Sequence, residues 1–187
     1  MHVEEAIRTR QSVKVFLSDE VPREMIQQCI EMATWAPNHH LTEPWYFAVI
    51  AGLAREKFIK IVMDEFNQER KEFDPFTPLP KILKERKKIL GAPVIIAVYS
   101  AIGTSNTAMW ENYAATAASI QNLLLAAHSL GLGAIWRTSS IYNKPGIRQA
   151  LRVPDRAIPV GAVFMGYSAQ RNTKRRRTAV EEKTYWL

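Results

Sequence analysis

The amino-acid sequence predicts a mixed α/β or α+β fold in which one sheet of four or five strands lies between helices. Two continuous apolar runs, Trp45–Ile50 and Pro93–Tyr99, are typical of strands that are buried on both faces. Further runs at Gly133–Arg137 and Ile158–Met165 add two more strands. With 187 residues, the chain has the size of a single domain that buries a core of its own.

Helical periodicity fills the chain between these strands. The segments with this pattern are Val3–Thr9, the stretch from Pro22 to just before Pro37, residues 53–72, a basic stretch that ends near Leu90 after a loop at 74–80, and residues 144–151. Residues 110–130 differ from the others because they are alanine-rich and apolar on more than one side, and Gly131 ends the pattern. In a chain this short, we expect such a helix to be buried partly by a second subunit.

The composition is that of an ordinary globular protein, with 47% hydrophobic and 23% charged residues. The single cysteine, Cys29, excludes an intrachain disulfide and lies on the apolar stripe of its helix, where we expect an inert core thiol. The N-terminal residues do not resemble a signal peptide, and Ala114–Ala127 is too short and too polar to span a bilayer. These features predict a cytoplasmic protein that does not associate with membranes.

The net charge of +7 is concentrated in one place. Five cations and no acids lie within residues 171–177, and the remainder of the chain carries a net charge of only +2 once these five are removed from the total. A local cluster of this kind suits one phosphate group or a solvated tail better than a surface that follows nucleic acid.

Several common sites are missing from the sequence. The Gly131-Leu132-Gly133 segment follows a helix rather than a strand and lacks a third glycine, which argues against a Rossmann dinucleotide site. There is no Walker-type phosphate loop, and no Gly-x-Ser-x-Gly element of a serine hydrolase. Adjacent side chains such as those of His39 and His40 are expected to point in different directions, and no carboxylate lies at ligand spacing, so no metal site is expected.

Four polar residues, Arg8, Arg10, Ser12 and Lys14, are spaced two apart where the first helix gives way to the extended segment Ser12–Leu17. Alternation in an extended chain puts Ser12 and Lys14 on the same side. Two cations and a hydroxyl would suit an anionic ligand with a hydrogen-bonding edge. A solvated basic turn fits the same spacing, and the pattern alone leaves both interpretations open.

Three segments together resemble the nitroreductase family. Residues 10–16 (RQSVKVF) are similar to its N-terminal Arg-x-Ser-x-Arg/Lys-x-Phe signature. Residues 36–47 (APNHHLTEPWYF) are similar to its Ala-Pro-Ser…Gln-Pro-Trp-x-Phe segment, and residues 131–138 (GLGAIWRT) to its Gly-(Leu/Phe)-Gly…Trp-Arg-Ser segment. The segments occur in the family's order across nearly the whole chain, and the third has the form of the compact bacterial branch.

The resemblance implies an α+β nitroreductase-like sandwich with a mostly antiparallel sheet, built from residues 1–187 as one domain. It also implies an intertwined homodimer with one FMN at each end of the subunit interface, and residues 169–187 as a C-terminal arm that docks on the partner. Trp136 fits a core position and a flavin contact equally well. The residues implied to bind the cofactor are Arg10, Gln11, Ser12, Lys14, Trp35, Pro37, Asn38, His39, Trp136, Arg137, Thr138, Arg175 and Arg176.

Within that set the resemblance assigns different roles. Arg10 would hold the phosphate or ribityl end, Ser12 the ribityl chain or ring edge, and Lys14 the pyrimidine edge. His39 and its neighbours would reach the flavin from the other subunit. Arg137, or Arg175 with Arg176, would complete the phosphate clamp.

The implied activity is that of an FMN-dependent NAD(P)H oxidoreductase. NADH or NADPH would donate a hydride in a ping-pong cycle, with nitroaromatics, quinones or similar compounds as acceptors, and no side chain would act as nucleophile. Glu43 stands where the family usually has glutamine, and Leu41 stands where it usually has asparagine or serine. These departures leave the substrate open. The alternatives are a relative with another flavin chemistry, a flavin-binding protein with little turnover, and a protein that binds polyanions through its basic tail.

Overall fold

A single antiparallel sheet forms the centre of the molecule in the computed structural model, which describes residues 1–72, 79–170 and 176–187. Its strands are β1 (Trp45–Ala51), β2 (Val94–Ala101), β3 (Gly133–Arg137) and β4 (Ala157–Gly166), in the order β1-β2-β4-β3. Every neighbouring pair is antiparallel. The predicted α+β sandwich with four or five strands is confirmed, with four strands in the described residues.

Six α-helices lie around this sheet within the described residues. They are α1 (Val3–Thr9), α2 (Arg23–Thr34), α3 (Ala54–Glu72), α4 (Leu79–Leu90), α5 (Asn106–Ser129) and α6 (Pro145–Leu151). On one face α2 and α5 close a core with the inward side chains of β2 and β4. On the other face α3, α4 and α6 close a second core, in which the buried Tyr99 hydroxyl donates to the Tyr142 carbonyl at 2.7 Å. Burial raises the pKa of Tyr99 to about 12.

Most predicted elements are present, with shifted ends. The long helix begins at Asn106, four residues before the predicted start, because the Ser105 hydroxyl accepts from the Ala108 N–H and caps it. Helix α4 begins at Leu79, so the predicted loop at 74–80 is wrong for its last two residues, while 73–78 lie outside the described residues. Cys29 is completely buried, and burial raises its pKa to about 11, as expected of an inert core thiol.

Helix α5 extends along the sheet for about 36 Å. It ends as predicted, with Gly131 at a φ of +79°, which favours glycine. Ile120, Leu123 and Ala127 are buried against the sheet. A strip on the opposite side remains at least partly exposed in the single chain, and it consists of Trp110, Ala114, Ala117, Ala118, Gln121 and Leu125. No helix within the described residues is long and apolar enough to cross a membrane.

The segment that follows α1 is held against the edge of the sheet, beside β3. Ser12 forms a parallel bridge with Ala134, and the Val13 N–H donates to the Ala134 carbonyl at 3.0 Å. Val13 is buried directly over Gly133. A Cβ at Gly133 would lie 2.7 Å from Val13 Cγ2, closer than real Cβ contacts allow. Glycine is therefore required at position 133 because of this close approach.

We expect Gly133→Ala to lower the free energy of unfolding by about 1–3 kcal/mol, because the added methyl overpacks against Val13. Urea unfolding of the single variants and of the Val13→Ala/Gly133→Ala double variant measures this. The double variant should be more stable than the sum of the two single effects predicts, since a smaller residue 13 makes room for the methyl. Strict additivity would contradict the steric explanation.

Candidate functional site

Two groups of polar residues lie at opposite ends of α5. We call the first group, Arg10, Ser12, Lys14 and Gln170, the basic end; it lies near His128 in the last turn of α5. The second, residues 37–43 with Glu111, is the loop end, next to the first turns of α5. Seventeen residues of α5 separate Glu111 from His128, which corresponds to about 26 Å.

At the basic end, backbone contacts hold the polar side chains in place. Arg10 caps α1, with its N–H donating to the Ala6 carbonyl at 3.0 Å, and its side chain is half-buried. The Gln170 side chain accepts from the Lys14 N–H at 2.9 Å and donates to the Ser12 carbonyl at 3.3 Å. Lys14 itself is exposed. Two cations and a hydroxyl therefore lie on a braced segment, as the recognition of an anionic ligand requires.

Gln170 was missed by the sequence reasoning. It contacts residues more than 150 positions earlier, and no local pattern signals such a contact. It is also the residue directly before the basic run at 171–177 in the sequence. Arg175 lies outside the described residues, while Arg176 is described and exposed.

At the loop end, side chains tie residues 37–43 to α5. His39 Nδ1 lies 3.0 Å from Glu111 Oε2, and the His39 and His40 rings stack at 3.8 Å. The Thr42 hydroxyl donates to the Asn112 side-chain oxygen at 3.0 Å. Glu111 and Asn112 were also missed, because they lie inside what the sequence shows only as an apolar helix.

The same loop has an unusual backbone. His40, Leu41 and Glu43 have φ values of 55°, 52° and 41°, a region that residues with a Cβ rarely adopt. The Asn38 side chain stabilises this conformation, since its oxygen accepts from the Glu43 N–H at 2.9 Å. Strained backbone that is held by specific hydrogen bonds is common at functional sites.

Residues 136–138 lie at the far end of β3. The Trp136 indole N–H donates to the Val160 carbonyl at 3.2 Å and packs on the α5 face of the sheet. Arg137 points to the other face and lies over the Phe164 ring, 5.2 Å from its centroid. These neighbouring side chains therefore lie on opposite faces of the sheet. Thr138 lines a cavity of about 290 Å³ with Tyr113 and the Pro159–Gly161 segment.

Arg137 fits an acidic ligand. Its Nε is buried and has no hydrogen-bond acceptor within the described part of the chain. A buried guanidinium N–H without an acceptor is costly, and a ligand oxygen would relieve that cost. The described residues contain no group of three or more His, Cys, Asp or Glu side chains placed to hold a metal ion.

The remaining predicted site residues differ in exposure. Gln11 is buried, Asn38 is half-buried and Pro37 is exposed. Trp35 is 77% exposed and lies on an apolar groove formed with Met32 and Leu125. A tryptophan this exposed on an apolar surface is typical of a binding surface.

The fold and these features define a class of protein: an α+β sandwich with a braced basic segment at one end of its long helix and a strained polar loop at the other. A model of the Nitroreductase family matches residues 7–167, and the chain belongs to that family. The recognised segments at 10–16, 36–47 and 131–138 all lie within or at the start of this match.

Individual relatives agree with this membership. A protein of Methanothermobacter thermautotrophicus named "Putative NADH dehydrogenase/NAD(P)H nitroreductase" is 33% identical over 175 residues, which cover 91% of this chain and 79% of that protein. The structure of a nitroreductase-like family protein from Bacillus cereus matches with a TM-score of 0.84 and 29% identity, covering 100% of this chain and 96% of that one. A "putative nitroreductase in complex with FMN" from Desulfovibrio desulfuricans matches with a TM-score of 0.72 and 28% identity, over 97% and 95% of the two chains.

Proposed function

We propose that this protein is an FMN-dependent NAD(P)H oxidoreductase of the nitroreductase type. The observation that carries the proposal is the basic end, where Arg10, Ser12 and Lys14 are braced against β3 and Gln170 in the segment that carries the family signature. The Desulfovibrio relative was solved with FMN, and the Methanothermobacter relative is named for NAD(P)H. The lone buried thiol suits a reducing compartment, and we propose the cytoplasm.

Each part of the basic end has a role toward FMN. Arg10 supplies a half-buried cation for the phosphate or ribityl end, and the Ser12 hydroxyl bonds the ribityl chain or ring edge. Lys14 stabilises negative charge at the pyrimidine edge. When bound, FMN takes a hydride from NADH or NADPH and passes two electrons to an acceptor such as a nitroaromatic or a quinone. Either Arg137, or Arg175 together with Arg176, completes the phosphate contacts.

We further infer a homodimer, because the family resemblance implies that both the basic end and the loop end contact the flavin. One FMN cannot contact the basic end and the loop end of the same subunit, because about 26 Å of α5 separates them. Two copies packed along α5 in opposite directions bring the basic end of one subunit to the loop end of the other, and twofold symmetry forms two such sites. In that arrangement Pro37, Asn38 and His39 contact the flavin held by the other subunit.

Exposed apolar side chains support this mode of association. Trp35, Trp110 and Val3 are each at least two-thirds exposed in the single chain. They lie along α1, α2 and α5, beside the exposed strip of α5. Large apolar side chains that lie exposed next to one another on a single chain are typical of a protein interface. This assembly would complete the burial of α5 that its apolar composition predicts.

We propose that residues 169–187 form an arm that docks on the partner. Tyr185, Trp186 and Leu187 are almost fully exposed. Strand β1 is an edge strand of the sheet, and a groove of about 760 Å³ lies beside it, lined by Val21, Ile26, Ile30 and Val49. This groove on a second copy offers the arm an apolar surface and an open strand edge.

Binding of FMN tests the proposed function directly. Full-length protein should purify with FMN and absorb visible light, and Arg10→Gln should weaken FMN binding at least about tenfold, because a charged hydrogen bond to the phosphate is lost. Arg86→Gln, an exposed arginine on α4, is the matched control and should bind FMN normally. A wild-type protein that is colourless and cannot be reconstituted with FMN would refute the proposal.

The second prediction concerns shared sites. In a heterodimer of an Arg10→Gln subunit with a subunit in which Pro37, Asn38 and His39 are alanine, both defects fall in one site and the other site is intact. Differently tagged subunits, co-expressed and purified as the mixed dimer, should therefore bind one FMN per dimer with wild-type affinity. In each homodimer both sites carry one of the defects, so both should bind FMN at least about tenfold more weakly than wild type. A mixed dimer without a site of wild-type affinity would show that each site belongs to one subunit.

The third prediction concerns the arm. Trp186→Ala should raise the dimer dissociation constant by about tenfold or more, because burial of the indole is lost. Analytical ultracentrifugation over a dilution series measures this. Leu83→Ala, on the exposed face of α4, is the control and should leave the constant unchanged. Equal effects of the two substitutions would argue against a docked arm.

A further inference from the structure

We propose that His128 is a positioning residue for Arg10 and couples FMN binding to proton uptake. The inference rests on the proposed function, since it assumes that Arg10 meets the FMN phosphate. It concerns a residue of α5 that none of the recognised motif segments includes. His128 lies in the last turn of α5, at the basic end.

A hydrogen bond between Thr9 and His128 anchors the end of α1 to α5. His128 Nε2 lies 2.7 Å from the hydroxyl of Thr9, which is the last residue of α1. Arg10 is the next residue, and there the backbone leaves the helix with a ψ of 134°. A helix of seven residues is unstable by itself, so contacts with the rest of the protein determine where it ends. The contact between Thr9 and His128 therefore fixes the point from which Arg10 projects.

The direction of this hydrogen bond follows from its neighbours. The Thr9 hydroxyl donates to the Glu5 carbonyl at 2.6 Å, and a hydroxyl has only one hydrogen. The Thr9 oxygen is therefore the acceptor, and His128 Nε2–H is the donor. Both the neutral Nε2–H tautomer and the imidazolium carry this hydrogen. The anchor thus persists when His128 gains a proton, which separates its structural effect from its charge.

Arg10 also acts on His128 through its charge. Burial lowers the pKa of His128, the Arg10 cation lowers it further, and Glu5 raises it. The charges that act on the ring come from Arg10, which follows α1, and from Glu5 within α1. The Arg10 guanidinium is therefore close enough for its charge to be felt by the imidazole. A phosphate bound at Arg10 would neutralise that repulsion and attract a protonated ring.

The sign of the coupling follows from linkage. The pKa of His128 is higher in the FMN-bound state than in the free state, so binding takes up a proton at pH values between the two. The extra affinity is fully present below the free-state pKa and is lost as the pH rises through the bound-state pKa. The phosphate of free FMN also titrates, with a pKa of about 6, and this contribution to the pH profile is common to all variants.

The test measures FMN dissociation from the full-length holoprotein by the rise in FMN fluorescence on dilution, between about pH 5.5 and about pH 8. His128→Gln keeps an N–H donor for Thr9 but cannot titrate. Its affinity for FMN should equal that of wild type at the higher pH and be about threefold lower than that of wild type at the lower pH. Thr9→Val loses the anchor but keeps the imidazole, so it should bind FMN about fivefold more weakly throughout and retain the pH dependence.

Matched controls remove trivial explanations. Thr34→Val deletes a similar hydroxyl-to-carbonyl bond at the end of α2, and His2→Gln removes an exposed histidine; both should behave as wild type. NMR titration of the His128 ring supplies a second readout without turnover, and its pKa should rise in Arg10→Gln.

The outcomes separate this inference from the proposed function. A wild-type protein that binds no FMN refutes the proposed function and the coupling with it. A protein that binds FMN, but whose His128→Gln variant follows the wild-type pH profile, refutes the coupling alone. Thr9→Val with unchanged affinity refutes the positioning role.

Discussion

Helix α5 links the basic end and the loop end, because it packs along the sheet and one group of polar residues lies at each of its ends. Its inner surface is buried against the sheet through Ile120, Leu123 and Ala127, which fixes its position. At its last turn His128 contacts the end of α1, and at its first turns Glu111 and Asn112 hold the strained loop. About 26 Å of α5 lies between these ends, and the proposed dimer rests on this distance.

Both ends use hydrogen bonds to the backbone to position side chains that the ligand would meet. At the basic end Gln170 braces Ser12 and Lys14, and Gly133 allows Val13 to approach the sheet. At the loop end the Asn38 side chain compensates part of the cost of three residues with positive φ. Such positioning suits a cofactor that supplies the chemistry, since the protein then needs to provide orientation and charge rather than a nucleophile.

Much of the fold could be predicted because its signals are local. The apolar runs located all four strands, and the end of α5 at Gly131 followed from the need for a positive φ. The predicted start of α5 is four residues too late, because the capping residue Ser105 lies before the apolar pattern begins. The loop predicted at 74–80 extended too far because a proline within the first turn of α4 is compatible with a helix.

The sequence by itself determined the strands, the helices, the core position of Cys29 and the three segments that resemble the nitroreductase family. Only the tertiary structure decided which of those segments meet, because contacts such as Gln170 with Ser12, and His128 with Thr9, join residues more than 100 positions apart. Periodicity describes which face of an element is apolar, but not which element it will face. That choice depends on how α5 packs on the sheet, and it puts the basic end and the strained loop at opposite ends of one subunit.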